Sequence, residues 1–375
     1  MIIMALDHVR DFFHKDAFLY SPTDLTQTNA LLFFTRWITH FCAPIFVFLA
    51  GMSAYLYGVK RSKKELSFYL LTRGISLVLM EIFIIGLIRT FNPTFSYIHL
   101  QVIWAIGICM IILSALIYLN WRLLMMIGIL IIALHNLLDP VQVTSNNFPA
   151  FLWAVLHQAK YFYWGYFIVY AHYPFLPWLG VMIVGFSLGK LFNSDFDSLK
   201  RRRLLLYTGL GAIALFIILR SGNFYGDAAQ WSVQKNSITS LMSFLNVTKY
   251  PPSLLYILMT VGPALIFLAV FEKIRGSLAE KITIFGRVPM FYYMAHLLLI
   301  HIFAVIGALI TGYGKYMLIL SNSVYEIPQL KGYGFNLIVV YLVWAGLVLL
   351  LYPFCKSYAL YKRSNQSTHK WLSYL

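Results

Sequence analysis

The segment that decides the fold is Asp7–Gly58, which begins DHVRDFFHKD and continues through RWITHFCAPIFVFLAGMSAYLYG. Two aspartates (Asp7 and Asp11), three histidines and two arginines lie at the ends of its strongly apolar runs. Ionisable side chains are costly at membrane depth, so those that occur there are candidates for a functional site. The rest of the sequence is interpreted as the helix bundle that holds this cluster.

The composition is that of a membrane protein. Of its 375 residues, 60% are hydrophobic and 11% are charged, and the mean hydropathy is +0.74. A soluble domain has about 25% charged residues, and several apolar runs here exceed the roughly 18 residues that cross a bilayer as a helix. We therefore predict an all-α, polytopic transmembrane bundle in contact with membrane lipid, and a single membrane domain over residues 1–375.

Apolar runs predict about ten helices. The first is too short to span a membrane and is expected to be truncated, or a partial and tilted element. The predicted ranges are 1–13, 38–58, 68–88, 100–118, 121–138, 174–191, 204–220, 253–271, 289–312 and 335–354.

The basic residues indicate the topology. Alternate loops together hold 18 Lys and Arg in 64 residues, whereas the opposite loops hold 9 in 124. Because Lys and Arg accumulate in cytoplasmic loops, we predict a multipass protein of the cell inner (plasma) membrane with both termini in the cytoplasm. The net charge of +16 follows from these short clusters and does not indicate a nucleic-acid partner.

The first helix carries the strongest candidate site. His8 and Asp11 are three residues apart and share a helix face, and a carboxylate beside an imidazole raises its basicity and fixes its tautomer. This pattern favours a general base for a hydroxyl or amine, at the extracytoplasmic end of the helix. The alternative is a solvated helix end held by an Asp7–Arg10 pair. His14 is a weaker candidate because it is expected outside the membrane.

The second helix supplies two further candidates. Arg36 and His40 are four residues apart and share a face at its outer end, at the level expected for His8. The small residues Ala50, Gly51, Ser53 and Ala54 indicate close helix packing rather than chemistry.

Polar residues later in the chain give further candidates. Glu81, alone in an apolar run, needs a partner such as Arg73 or Arg89, or one from another helix. Two residues are candidates for binding an anionic cofactor: Arg287, at the inner surface, and His296, about two turns into the ninth helix. The alternative for Arg287 is the positive-inside rule, and the alternative for His296 is a satisfied core histidine. We find no metal-ligand spacing and no phosphate-binding loop.

The predicted outer face has more polar and aromatic residues. Its polar groups form two sets, which are candidates for the same site: His99, Gln101 and Trp104, and His135, Asn136 and Asp139. The alternative for each group is a capping or interface role. The loop over residues 139–173 is rich in Trp and Tyr, which favours an interfacial aromatic belt, with a sugar-stacking or lid role as the alternative.

Several motifs resemble the bacterial branch of the heparan-α-glucosaminide N-acetyltransferase-like family, and the likeness covers nearly the whole chain. They are ALDHVRDFF, LLFFTRWITHFCAPIFVFLAGMSAYLYG, LLTRG followed by Glu81, QVIWAIG and GRVPMFYYMAH. The resemblance implies a transmembrane acyltransferase that uses cytoplasmic acyl-CoA, commonly acetyl-CoA. The Arg–Ser–Ile–Asp…Arg–Gly stretch that usually precedes the first helix is missing here. By position His8 resembles the catalytic histidine of related acyltransferases, and His14 the loop histidine of the animal enzyme.

From the residues and the resemblance together, we expect acyl transfer to a hydroxyl or amine of an extracytoplasmic envelope glycan or glycolipid. His8 would act as base or transient acyl carrier, Asp7 or Asp11 would orient it, and His40 and Arg36 would complete the site. A proton-coupled transporter of a polar solute and a non-catalytic membrane protein are the alternative functions.

Overall fold

A computed structural model of the chain describes residues 1–274 and 276–365. Arg275 and Lys370, two of the basic residues counted above, lie outside the described residues. The α-helices are α1 (Ile2–Phe13), α2 (Ala30–Trp37), α3 (Cys42–Gly58), α4 (Lys63–Leu79), α5 (Gly86–Thr90), α6 (Val102–Leu116), α7 (Trp121–Leu134), α8 (Phe148–His157), α9 (Phe175–Leu188), α10 (Ser198–Gly222), α11 (Ser237–Leu245), α12 (Leu254–Phe271), α13 (Ser277–Arg287), α14 (Pro289–Ile310), α15 (Gly314–Leu318) and α16 (Leu337–Asn365).

The prediction of an all-α, multipass membrane protein is confirmed. Within the described residues, eight helical segments are long and apolar enough to cross a membrane. The other two predicted elements are α1 and α6, with 12 and 15 residues. The eight segments are Ala30–Gly58, Lys63–Thr90, Trp121–Leu138, Phe175–Phe192, Ser198–Gly222, Leu254–Phe271, Pro289–Ile310 and Leu337–Asn365.

Two of these segments contain irregular turns. A 3₁₀ turn, Ile38–Phe41, joins α2 to α3, so the predicted second helix begins eight residues earlier than its pattern indicated. A π-helical turn, Met80–Ile85, joins α4 to α5 and contains Glu81. Single π turns inside α-helices are frequent at functional sites.

The chain forms two compact units. The smaller unit comprises Met1–Cys42, Phe83–Tyr97 and the described part of Ile274–Leu375, and the larger comprises Ala43–Ile82 and Ile98–Lys273. The prediction of a single domain over residues 1–375 stays a prediction.

The smaller unit is organised around α1, which packs against α14 and α16. Ala5, Val9 and Phe12 recur at the three- and four-residue spacing of one helix face, and all three are buried. The end of α1 is fixed by Phe335, whose N–H donates to the Phe13 carbonyl at 2.7 Å and whose carbonyl accepts from Lys15 N–H at 3.0 Å. These two hydrogen bonds therefore tie the end of α1 to the segment that leads into α16.

The larger unit packs its helices in close pairs, among them α4 with α6, α7 with α9 and α10 with α12. A Cβ atom on Gly51 would lie 2.1 Å from the carbonyl oxygen of Met182, and one on Gly185 would lie 2.2 Å from that of Phe48. No side chain fits at either position. The predicted packing role of Gly51 is confirmed.

The larger unit also carries a small sheet that the sequence pattern did not predict. Its strands are β1 (Tyr97–Leu100), β2 (Lys160–Trp164) and β3 (Phe167–Ala171), in the order β1-β3-β2. Strands β2 and β3 form an antiparallel hairpin in which Tyr161 faces Tyr170 with ring centroids 3.8 Å apart. The aromatic residues of the 139–173 loop are thus arranged by strand pairing.

Candidate functional site

An ion-pair network joins α1 to α2 in the smaller unit. Arg10 donates one hydrogen bond to Asp7 at 2.9 Å and another to Asp11 at 2.7 Å. Arg36 donates to the other carboxylate oxygen of Asp7. The Arg10 side chain is 4% exposed, so its charge requires these carboxylates. The Asp7–Arg10 pair, which belonged to the alternative interpretation of this helix end, is present, and Arg36 joins the same cluster.

His8 lies beside this network and faces α14. Its ring centroid is 5.4 Å from that of His296 and 6.3 Å from that of Tyr293, the second pair in an edge-on arrangement. His296 is fully buried and stacks on Tyr292 with centroids 5.0 Å apart. Two histidines and two tyrosines, all capable of proton transfer or hydrogen bonding, therefore meet between α1 and α14.

The tautomer of His296 follows from its backbone contact. Its Nδ1 lies 2.7 Å from the carbonyl oxygen of Tyr292, which accepts a hydrogen bond and so requires the proton on Nδ1. Nε2 then carries the lone pair, and within the described residues it has no hydrogen-bond partner. His296 is thus oriented as an acceptor or base at this atom.

His40 is buried in the 3₁₀ turn Ile38–Phe41, which packs against α1. The preceding residue, Thr39, donates its hydroxyl to the carbonyl of Arg36 at 2.6 Å, which stabilises the turn. The turn therefore places His40 beside α1, and Arg36 lies four residues earlier, near the end of α2. A direct role for His40 beside His8 stays a prediction.

Along α14 the cluster lies within the helix and not at either end, and the predicted extracytoplasmic position of His8 stays a prediction. His296 is about two turns after the start of α14 at Pro289 and about four turns before its end at Ile310. Because His8 contacts His296, it lies at the same depth. The sequence pattern suggested a helix end for His8 because α1 is short. The packing of α1 on the longer α14 shows which part of α14 His8 lies beside.

His14 has a different environment from His8. Its Nδ1 accepts a hydrogen bond from the backbone N–H of Asp16 at 3.3 Å, so it caps the short turn that follows α1. Burial lowers the pKa of the His14 imidazole, against the opposing effect of the Asp16 carboxylate. A neutral capping histidine fits these contacts.

Arg287 lies in a basic pocket about 520 Å³ in volume, between α13 and α16. Three further cations, Lys356, Lys362 and Arg363, line the same pocket. These three residues are among the Lys and Arg that the sequence analysis used only as a topology signal. The seven-residue spacing of Lys356 and Arg363, which places them two turns apart on one face of α16, was the signal that could have grouped them.

The remaining predicted polar residues lie in the larger unit. The carboxylate of Glu81, 1% exposed, accepts a hydrogen bond from the backbone N–H of Trp104 at 3.3 Å, a partner from another helix. His99 shares a 2.8 Å hydrogen bond with His172, a residue that the sequence analysis missed. None of these contacts involves the cluster around His8.

His135, Asn136 and Asp139 also meet in the larger unit. His135 Nε2 donates to the carbonyl of Pro252 at 2.8 Å, and Asn136 donates to Asp139 at 2.8 Å. His157, which the sequence analysis also missed, lies 2.9 Å from the other oxygen of Asp139. Only folding of the 139–173 loop brings His157 to this carboxylate.

The fold and the buried polar cluster define a multipass membrane protein with an internal site suited to proton transfer. The family model described as heparan-alpha-glucosaminide N-acetyltransferase, catalytic, matches residues 1–221. The chain belongs to this family, a family of transmembrane acetyltransferases that use acetyl-CoA as the donor. No curated protein and no solved structure gives a significant match. The family favours a transferase over the transporter and non-catalytic alternatives.

Proposed function

We propose that the protein transfers an acetyl group from cytoplasmic acetyl-CoA to a hydroxyl or amine of an extracytoplasmic glycan or glycolipid. The observation that carries this proposal is the contact of His8 with His296 beside the Asp7–Arg10–Asp11–Arg36 network. It places potential bases, carboxylates and cations within one buried cluster, and acyl transfer requires all three kinds of group.

The first chemical step is deprotonation of the acceptor. His8 takes the proton from the acceptor hydroxyl or amine as that atom attacks the thioester carbonyl. Asp11, one turn after His8 on the same face, and Asp7 stabilise the imidazolium that forms. In the alternative route, His8 itself attacks the thioester and carries the acetyl group to the acceptor.

The second requirement is stabilisation of the oxyanion that develops on the carbonyl carbon. Arg36 is the proposed donor, because its guanidinium is already anchored on Asp7 and needs little reorganisation. His40, four residues after Arg36, completes the polar wall. The proton held by His8 then passes to the thiolate of coenzyme A as it leaves.

The third requirement is a place for acetyl-CoA. The basic pocket around Arg287 suits the phosphates of coenzyme A, since four cations face a single cavity. Pro289, next to this pocket, starts α14, and His296 lies roughly 10 Å further along that helix. An extended pantetheine arm is longer than this distance, which is consistent with the predicted cofactor contacts of both Arg287 and His296.

The test is acetyl transfer in proteoliposomes with labelled acetyl-CoA and methyl α-D-glucosaminide, an acceptor chosen from the family description. General-base catalysis contributes about 10²- to 10⁴-fold, so His8→Ala is expected to lower the rate at least ~100-fold. His14→Asn is the matched control: asparagine keeps the turn capped, and activity should be retained. Wild-type rates in a His8→Ala, His40→Ala double variant would rule out the assignment.

A further inference from the structure

The larger unit contains a second polar cavity that the proposed acetyl transfer does not use. It is about 220 Å³ in volume and is lined by residues of the 136–159 and 228–253 segments. Drug-sized ligands occupy about 300–1,000 Å³, so this cavity has room for one small ring. Its polar lining includes Asp139, Gln142, His157, Gln158 and Thr248.

Asp139 is the central acceptor of this cavity. One carboxylate oxygen is 2.9 Å from His157 Nε2, and the other accepts from Asn136 at 2.8 Å. A carboxylate has about four lone-pair sites, so each oxygen can accept one more hydrogen bond. Burial acts to raise the pKa of Asp139, but the hydrogen bonds from His157 and Asn136 outweigh it and hold the pKa below its ordinary value.

His157 gives an independent indication of a ligand. It is 2% exposed, and its Nε2 is directed at Asp139, which leaves the lone pair on Nδ1. Within the described residues that Nδ1 has no hydrogen-bond partner. A buried polar atom without a partner calls for an explanation, and a bound water or ligand hydroxyl beside the cavity is the simplest one.

The amides of the cavity have unused capacity as well. Gln142 donates one hydrogen bond to the backbone carbonyl of Asp139 at 2.8 Å and is otherwise exposed. Gln158 is held on the backbone of Val143 at 2.9 Å and 3.3 Å, with one N–H still available. Carboxylate acceptors and amide donors lie side by side, an arrangement that pairs with hydroxyl groups, which both donate and accept.

One wall of the cavity is preorganised. Asp227 accepts from the N–H and hydroxyl of Thr248, both at 2.8 Å, and from the hydroxyl of Ser253 at 2.7 Å. The half-buried Tyr250, between these two residues, packs its ring 3.9 Å from that of His172. An aromatic ring thus lies on a fixed wall beside the polar groups.

The other classes of ligand fit less well. An anion would face the carboxylate of Asp139, and an apolar molecule would leave the remaining lone pairs of this carboxylate and the remaining amide N–H groups without partners, which is unfavourable. No group of three His, Cys, Asp or Glu suited to a metal occurs within residues 1–274 and 276–365.

We propose that this cavity binds a single neutral sugar ring through Asp139, Gln142 and Gln158, with the ring of Tyr250 as the aromatic wall. This binding site does not depend on the acetyl-transfer chemistry proposed for the smaller unit. A primary amine bound to Asp139 is the rival ligand, and the test separates the two.

The experiment uses the full chain in nanodiscs and measures binding by saturation-transfer NMR. The probes are the methyl pyranosides of glucose, galactose and mannose, with methoxycyclohexane as the apolar control and methyl glucosaminide as the amine probe. At least one neutral glycoside is expected to bind in the millimolar range, more tightly than methoxycyclohexane. Failure of all three, equal binding of the apolar control, or binding of the amine alone overturns the proposal.

Two variants locate the binding. Asp139→Asn is expected to weaken glycoside binding at least ~10-fold, about 1.4 kcal/mol, and exposed Gln142→Leu about 3- to 10-fold without affecting the fold. Asp195→Asn, an exposed aspartate of the same unit, should bind as the wild type does. Wild-type binding in both Asp139→Asn and Gln142→Leu contradicts the proposal. His8→Ala should retain glycoside binding, so failure of one proposal is distinguishable from failure of the other.

Discussion

Arg10 in the smaller unit and Arg220 in the larger unit are both almost fully buried, at 3% and 1% exposure. Arg10 donates to two carboxylates and lies in a cluster with His8. Arg220 donates to four backbone carbonyls of the segment after α10, those of Ala229, Ser243, Phe244 and Asn246.

The two arginines show that a buried charge is not sufficient to mark a reactive site. The carbonyls around Arg220 do not titrate, so this arginine can only hold the 223–247 segment in place. The carboxylates around Arg10 are titratable and adjoin an imidazole, so this cluster can exchange protons with a substrate. The partners of each arginine therefore distinguish a structural from a chemical role.

The largest expected effect is on the structural arginine. Arg220→Met would leave four carbonyls without their donor, and we expect a loss of about 3–5 kcal/mol in the free energy of unfolding. Denaturant unfolding of the purified protein in detergent measures it. Arg203→Met, an exposed arginine on the same helix, is the control and should cost under about 0.5 kcal/mol. Equal stabilities of the two variants would remove the contrast with Arg10.

The next effect concerns the ion pair between α1 and α2. A double-mutant cycle of Asp7→Asn and Arg36→Gln should give a coupling free energy of about 1.5–3 kcal/mol, because the pair is charged and largely buried. Unfolding measurements of the four proteins give the value. A coupling below about 0.5 kcal/mol would mean that Arg36 is not fixed on Asp7 and is free for another role.

A smaller effect is expected in the basic pocket. Arg287→Gln should raise the KM for acetyl-CoA about 5- to 10-fold with little change in kcat, since one of four cations is lost and the reacting groups are untouched. The rise should shrink in high salt, which screens the remaining charges. Lys60→Gln, in the exposed basic loop after α3, should leave KM unchanged. A lower kcat at constant KM would show that Arg287 does not contribute to the binding of acetyl-CoA.

The smallest effect is a pH dependence in the larger unit. Burial tends to raise the pKa of Asp139, but the hydrogen bonds from His157 and Asn136 bring it below its ordinary value. A carboxylate whose folded pKa is depressed contributes stability above its unfolded pKa of about 3.9, and that contribution is lost as the pH falls through the folded value. Unfolding of wild type and Asp139→Asn between pH 6 and pH 3 should converge at the acid end. A constant difference would contradict an ionised Asp139 carboxylate held by hydrogen bonds.

Much of this protein is determined by its sequence alone. Each of the ten predicted apolar runs corresponds to a helical segment of the described residues, because in lipid every backbone polar group must be satisfied within the segment. Asp7 and Arg10 are one helical turn apart, so their side chains lie on the same face of α1 and form an ion pair. The family resemblance, read from motifs in residues 5–107 and 286–296, was confirmed over residues 1–221.

Only the tertiary structure decided which distant residues meet. His8 and His296 are separated by most of the chain, and their contact depends on how α1 packs on α14. Likewise, the contact of His157 with Asp139 depends on the tertiary structure. The same holds for the positions of Lys356 and Lys362 in the pocket of Arg287. The periodicity of a sequence determines which face of a helix is apolar. The partner of a buried polar group depends on how whole helices pack, and the pattern of a single sequence does not contain that information.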